Sequence, residues 1–159
     1  MIKVGLVRLN KKHFPLFHKW WNDLEILKFS SDRLDKRPKA EIDEFLTKHL
    51  EDANSFDWII SVNDKKIGYF LIHKKRNKKY WELYIVIGEK EYWGRGIGTI
   101  VIKRMCRWFF KKVSTEKVLR LEVNADNSRA VRCYEKVGFK KVRKNYDGKV
   151  PGIVMELIK

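Results

Sequence analysis

The segment Tyr92-Trp93-Gly94-Arg95-Gly96-Ile97-Gly98-Thr99 is where this 159-residue sequence is chemically most explicit. Its three alternating glycines allow tight, positive-φ turns and let an anion come close to main-chain amides. The segment follows a strand pattern and opens a helix pattern, and the first amides of a helix have no intrahelical acceptor. The helix dipole adds partial positive charge at that end, and Arg95 adds a full one. Together these features predict a phosphate or pyrophosphate site. Two familiar nucleotide loops do not fit. No lysine follows Gly98, as a Walker loop requires, and the dinucleotide spacing puts Thr99 or Val101 where a third glycine is needed. A tight strand-to-helix turn without a ligand is the alternative reading.

A site of this kind needs elements to hold it. Residues 3–9 alternate loosely and read as a strand, and His13–Trp21 as a short helix. Pro38 suits the first position of a helix over 38–53, whose apolar residues Ile42, Phe45, Leu46 and Leu50 recur on one face. Phe56–Val62 and Ile67–Ile72 form a hairpin about the Asn63-Asp64 turn, and Tyr80–Ile87 is a further strand. The glycine turn leads into a helix over 98–112 that is apolar around most of its circumference. Next come a strand at Val118–Val123, a helix at Asn127–Val137 closed by Gly138, and strands over 139–146 and 152–158 about Asp147-Gly148. The order β-α-α-β-β-β-α-β-α-β-β predicts an α/β (α+β) fold in one domain, 1–159: a single mixed, mostly antiparallel twisted sheet with helices on both faces.

Composition narrows the class. The chain has a formal net charge of +16, which attracts polyanions. The positive residues are spread along the whole sequence, so a lysine-rich solvated surface is favoured over a dedicated nucleic-acid or ribosomal partner. No apolar run approaches the roughly 18 residues of a membrane helix, and Lys3, Arg8, Lys11 and Lys12 interrupt any leader-like stretch. The two cysteines, Cys106 and Cys133, form no Cys-x-x-Cys pair and suit a reducing cytoplasm. His13, His18, His49 and His73 are scattered, so no metal is expected.

Two motifs in order carry a resemblance. Trp93-Gly94-Arg95-Gly96-Ile97-Gly98 is similar to the Gln/Arg-x-x-Gly-x-Gly/Ala motif of the GNAT N-acetyltransferase superfamily, with Trp93 as in its RimJ/RimL-like subgroup. About thirty residues on, Asn127-Ser128-Arg129-Ala130, Tyr134-Glu135-Lys136 and Gly138-Phe139 resemble the family's second motif. The resemblance implies the GNAT fold and acetyl-CoA as acetyl donor. It also implies transfer to a primary amine by direct attack through a tetrahedral intermediate. Backbone amides from Arg95 through Gly96, Ile97, Gly98 and Thr99, in the turn begun by Trp93 and Gly94, would hold the pyrophosphate. The strand edge at Ile85, Val86 and Ile87 would pair with the pantetheine arm, and one of its amides would hold the oxyanion. Asn127 would touch the cofactor or serve only as a helix cap. Arg132 or Lys136 would meet the 3′-phosphate.

The resemblance makes Tyr134 the general acid for the departing thiolate, against packing in the core. Glu82, on the strand face of Tyr84 and Val86, is the candidate base, with Glu122 and Asn124 in reserve. The acceptor stays open between a protein N-terminus and a small amine such as an aminoglycoside, polyamine or amino sugar. Phe14, Phe17, Trp20, Trp21 and Phe29 read mostly as core, and Asp23, Glu25, Asp32 and Asp35 as a candidate acidic cluster. A basic nucleic-acid-binding module without catalysis is the rival function. Monomer and homodimer both stay open.

Overall fold

The computed structural model describes every residue except 1, 31–34, 75, 76 and 149. Among the described residues seven strands form: β1 (Val4–Arg8), β2 (Ser55–Val62), β3 (Lys65–Lys74), β4 (Trp81–Ile87), β5 (Val118–Asn124), β6 (Lys140–Asn145) and β7 (Gly152–Ile158). Five α-helices accompany them: α1 (Phe14–Trp20), α2 (Leu24–Ser30), α3 (Lys39–Glu51), α4 (Ile97–Lys112) and α5 (Ser128–Val137). The strands make one sheet in the order β1-β2-β3-β4-β5-β7-β6. All neighbours are antiparallel except β4 and β5, so the sheet is mixed as expected.

Period-two alternation decides which helices cover which face. Trp81, Leu83, Ile85 and Ile87 of β4 point into the core shared with Val101, Ile102, Met105 and Phe109 of α4 and Val131 of α5. Val86 of β4 and Tyr69 of β3 point the other way, into the core of Phe14, Phe17, Trp20, Trp21, Ile26, Ile42 and Leu46 from α1–α3. Asn63 and Asp64 adopt positive φ of 47° and 69°, the primed turn that matches strand twist in a two-residue hairpin.

Three local readings differ from the sequence expectation. Helix α2 was not expected, because seven residues are too few to display a helical period, although Asp23 Oδ1 accepts from the amides of Glu25 (3.0 Å) and Ile26 (3.4 Å) as an N-cap does. Pro38 is the N-cap of α3 rather than its first helical residue, with extended ψ of 145°. The last two strands pair only up to Asn145↔Gly152, so they are not joined by a tight Asp147-Gly148 turn.

The β4–β5 junction matters most for the site. The two strands pair at Trp81↔Leu119 and Glu82↔Arg120 and then part. β4 stays paired with β3 as far as Gly68↔Ile87, and β5 with β7 as far as Asn124↔Gly152, so a wedge opens within a continuous sheet. The end of β4 is pinned from the α1 side. The Trp20 ring lies against Gly88, and its indole N–H donates to Glu89 Oε1 at 2.9 Å. A β-carbon on Gly88 would lie 2.4 Å from that fully buried ring. Gly88→Ala is therefore expected to lower stability by about 1–3 kcal/mol, read as a lower denaturant midpoint; a wild-type midpoint would contradict this packing.

Candidate functional site

The wedge is a cleft of about 570 Å³. One wall is β4 from Leu83 to Ile87, and the other is Glu122–Asn124 of β5 with Asn127, Ala130, Cys133 and Tyr134 around α5. Trp93 to Thr99 closes one end. Beyond Glu82 the edge of β4 turned towards β5 has no strand partner among the described residues, so its amides and carbonyls face the cleft. The predicted strand-edge residues Ile85, Val86 and Ile87 are all there. One acceptor on that edge is already used: the indole N–H of Trp93 donates to the Ile87 carbonyl at 2.7 Å, tying the glycine turn to the strand end.

The glycine turn has the geometry that the spacing suggests. Gly94 and Gly96 have φ of 73° and 75°, and α4 begins at Ile97. Gly96 caps the helix without a side chain, which leaves the amides of Ile97, Gly98 and Thr99 without an intrahelical acceptor. A β-carbon at Gly94 or Gly96 would meet nothing within 4 Å, so glycine is needed there for conformation and not for room. Arg95 is exposed over the Tyr92 ring at 5.5 Å, and Arg129 lies 4.1 Å above the Trp93 indole. Arg95, Arg129, Arg132 and Lys136 all line this end, which is therefore strongly positive. Thr99 Oγ1 lies 3.2 Å from Cys133 Sγ and joins the first turn of α4 to α5.

Asn127 serves as the N-cap of α5, its Oδ1 accepting from the Ala130 amide at 3.1 Å, and it also lines the cleft. The cap uses the carbonyl oxygen and leaves the amide group as a donor, so the two roles weighed for it are compatible. Tyr134 lines the cleft from the α4–α5 side and is buried against Phe139. Among the described residues its hydroxyl has no hydrogen-bond partner. Burial pushes its pKa well above that of a free phenol, and nearby Cys133 and Tyr69 push the same way.

Glu82 is not where the sequence reading needs it. Its side chain is on the predicted face with Tyr84 and Val86, but at the position where β4 is still paired with β5, so it is buried and does not line the cleft. Its link to the cleft is Tyr84, whose hydroxyl donates to Glu82 Oε2 at 3.0 Å. Two tyrosines that the sequence reading passed over face the cleft from this side, Tyr69 and Tyr84. Tyr84 was reachable from strand period, two residues after Glu82. Tyr69 depended on the register Tyr69↔Val86, which sequence does not announce. The Tyr69 oxygen accepts from the Trp21 indole at 2.9 Å, and burial lifts its pKa to about 12. The reserve candidates Glu122 and Asn124 both line the cleft. The Glu122 carboxylate lies over Gly152, where a β-carbon would be 2.5 Å from Oε1, and accepts from Asn145 Nδ2 at 2.8 Å.

Other candidates separate clearly. Phe14, Phe17, Trp20 and Trp21 are core, while Phe29 lines the cleft. Asp23 and Glu25 are bridged by Lys90 at 2.9 and 2.8 Å and do not line the cleft. Asp35 lines no part of it either, and Asp32 lies outside the described residues, as do two members of the 74–79 basic run. His18 pairs with Asp43 at 2.6 Å and His49 with Asp57 at 3.3 Å. Among the described residues no three His, Cys, Asp or Glu side chains gather as a metal site would require, and no helix is long and apolar enough to cross a membrane.

Comparison with known proteins agrees with this fold. The profile of the Acetyltransferase (GNAT) domain matches residues 3–140. An uncharacterised protein of Methanocaldococcus jannaschii is 25% identical over 146 residues, covering 89% of this chain but only 29% of its own length. An N-acetyltransferase 9-like protein of Caenorhabditis briggsae is 26% identical over 169 residues, covering 98% of this chain and 82% of that one. The crystal structure of Vibrio cholerae spermidine N-acetyltransferase with CoA and spermine superposes with a TM-score of 0.83 at 19% identity, covering 98% of this chain and 95% of that one.

The turn yields a prediction of opposite signs. Gly96→Ala forces a β-carbon into left-handed φ and is expected to cost about 1–2 kcal/mol in denaturant unfolding. Gly98→Ala, inside the helix with only Cys133 Sγ at 3.5 Å from its new carbon, is expected to be neutral or to gain up to about 1 kcal/mol. Equal effects at the two positions would contradict the turn geometry.

Proposed function

Because the chain belongs to the GNAT acetyltransferase family, we propose that it moves an acetyl group from acetyl-CoA to a primary amine. The observation that carries this reading is the wedge, whose free strand edge runs from an uncapped, basic helix N-terminus towards a buried phenol. The amides from Arg95 to Thr99 suit a diphosphate. The edge at Ile85, Val86 and Ile87 suits an extended amide-bearing arm, which would pair with it as an added strand, and one of its amides would hold the carbonyl oxygen. The Asn127 amide group is a further donor, and Arg132 and Lys136 suit a remaining phosphate.

Tyr134 is assigned the acid role. A raised pKa keeps it a phenol at neutral pH, ready to give its proton to a departing thiolate. Glu82 is assigned the base role, exercised through Tyr84 because the carboxylate itself is out of reach of the cleft. Glu122 is the second reading for the base, favoured by its direct place in the cleft wall. The pH–rate profiles of Glu82→Gln and Glu122→Gln separate the two, since only loss of the true base displaces the acidic limb.

The finer placement near the RimJ/RimL-like subgroup rests on Trp93. The acceptor is a protein N-terminus or a small amine; the spermine-bound Vibrio cholerae neighbour favours including polyamines in any screen. Against polyamines stands the +16 field; for them stands Glu122, the one carboxylate in the cleft wall among the described residues. A screen of CoA release against peptides, polyamines, aminoglycosides and amino sugars decides. The free thiols of Cys106 and Cys133 suit a reducing cytoplasm. The rival of a basic nucleic-acid module without catalysis predicts salt-sensitive RNA or DNA binding and no heat on adding acetyl-CoA.

Tyr134→Phe is expected to keep acetyl-CoA binding by calorimetry and to lose about 10²-fold in turnover. A free phenol ionises near pH ~10, and this one ionises higher, so the acid form persists through neutral and mildly alkaline pH. The wild-type turnover number is therefore expected to stay flat to about pH 9. An alkaline fall below that, absent in Tyr134→Phe, would assign Tyr134 a lower pKa than its burial allows.

A further inference from the structure

Building on the acetyltransferase reading, we propose that Tyr84 is the group that meets the acceptor amine and passes its proton to Glu82. Tyr84 lines the cleft and Glu82 does not, yet the Tyr84 hydroxyl donates to Glu82 Oε2 at 3.0 Å. Glu82 is only 6% exposed, so a proton leaving the cleft reaches this carboxylate through the phenol. The pair stands two residues apart on one strand, on one face, with the geometry fixed by the β3–β4 ladder.

The exchange balances without a phenolate. The ammonium nitrogen gives one proton to the Tyr84 oxygen while the proton already on Tyr84 moves to Glu82. The ammonium becomes a neutral amine, the carboxylate becomes a carboxylic acid, and the phenol is restored. The nitrogen lone pair then forms the N–C bond to give the tetrahedral intermediate, whose collapse breaks the C–S bond. Tyr134 gives its proton to the sulfur and recovers one from the new amide nitrogen.

The groups that face Glu82 suit a carboxylate that starts charged. From β3, His73 Nε2 lies 3.8 Å from Oε2, and the His73 ring meets the Tyr84 ring edge-on at 5.4 Å. From the β3–β4 connection, Lys78 Nζ lies 3.7 Å from Oε1. From β5, the register partner Arg120 is held by Glu156 and lies over Tyr80. Behind His73, from α3, the His49 ring stacks at 5.3 Å and pairs with Asp57 of β2 at 3.3 Å. The cations among these stabilise the ionised form before transfer, and the imidazoles give the buried acid a polar backing.

The experiment uses the acceptor with the fastest CoA release in the screen above. The kcat and kcat/KM are followed against pH for wild type, Tyr84→Phe, Glu82→Gln and the double variant, each first shown to bind acetyl-CoA by calorimetry. Each single change is expected to lower kcat about 10²-fold and to move the acidic limb up towards the titration of the amine itself. The double variant is expected to be no slower than either single one, because both remove one route. A fluorinated analogue of the acceptor, already neutral at assay pH, is expected to recover most of the lost rate in Tyr84→Phe. An unmoved acidic limb in Tyr84→Phe, or losses that add in the double variant, would overturn the relay and leave the transferase standing. No acceptor-dependent CoA release by wild type would overturn the transferase reading and the relay with it.

Discussion

A parallel strand pair that fails to close is the feature on which the rest of this structure depends. β4 and β5 exchange ladder contacts at two positions and then diverge, while each keeps its antiparallel partner on the other side. An unpaired strand edge is normally a liability inside a sheet, since every buried amide and carbonyl needs a partner. Here the edge lies at the bottom of an open cleft and presents a ready hydrogen-bonding ladder to an extended ligand. The Trp93 indole on the Ile87 carbonyl and the Trp20 ring on Gly88 hold the strand end in place, so the opening is a built feature of the fold.

The wedge also divides the charge of the molecule. At the α4–α5 end the cleft collects Arg95, Arg129, Arg132 and Lys136 beside helix amides with no intrahelical acceptor. On the opposite face of the sheet the lining turns to the phenols of Tyr69 and Tyr84, with Glu122 and Asn124. A polyanion and an amine would therefore enter different ends of one cavity. A high net charge alone says only that polyanions are attracted. The positions of these side chains give that attraction a direction.

The sheet, its helices and the glycine turn were legible because each rests on a local rule. Loose alternation identified β1, aromatic and β-branched content β4, the Asn63-Asp64 pair set the β2–β3 hairpin, and glycines at 94 and 96 marked positive φ. What was not legible is what depends on contacts between distant segments. Helix α2 is seven residues long and shows no period. The burial of Glu82 follows from where β4 stops pairing with β5, about 40 residues further along the chain, and no pattern in Trp81–Ile87 announces it. Glu122 was readable as a carboxylate on a strand, but its place in the cleft wall depends on Gly152 leaving room for it. Residue types thus indicated the glycine-turn end of the cleft, where the backbone dominates, better than the other end, where side chains from four elements meet.

The division of faces has a mechanistic consequence. Tyr134 belongs to the core under α4 and α5, whereas Tyr69, Tyr84 and Glu82 stand on the α1–α3 face. In a closed sheet a proton donor on one face and an acceptor on the other would be separated by a layer of paired backbone. The gap between β4 and β5 removes that layer, and Tyr69 is close enough through it to raise the cost of ionising Tyr134. That coupling favours the protonated form of Tyr134, as burial does that of Tyr69. The two carboxylates proposed as the base differ in kind. Glu122 is exposed and already fixed by Asn145, while Glu82 is buried and tied to the cleft by one phenol hydroxyl. In the proposed reaction, the opening that would admit an extended thioester arm would also join the acid on one face of the sheet to the base on the other.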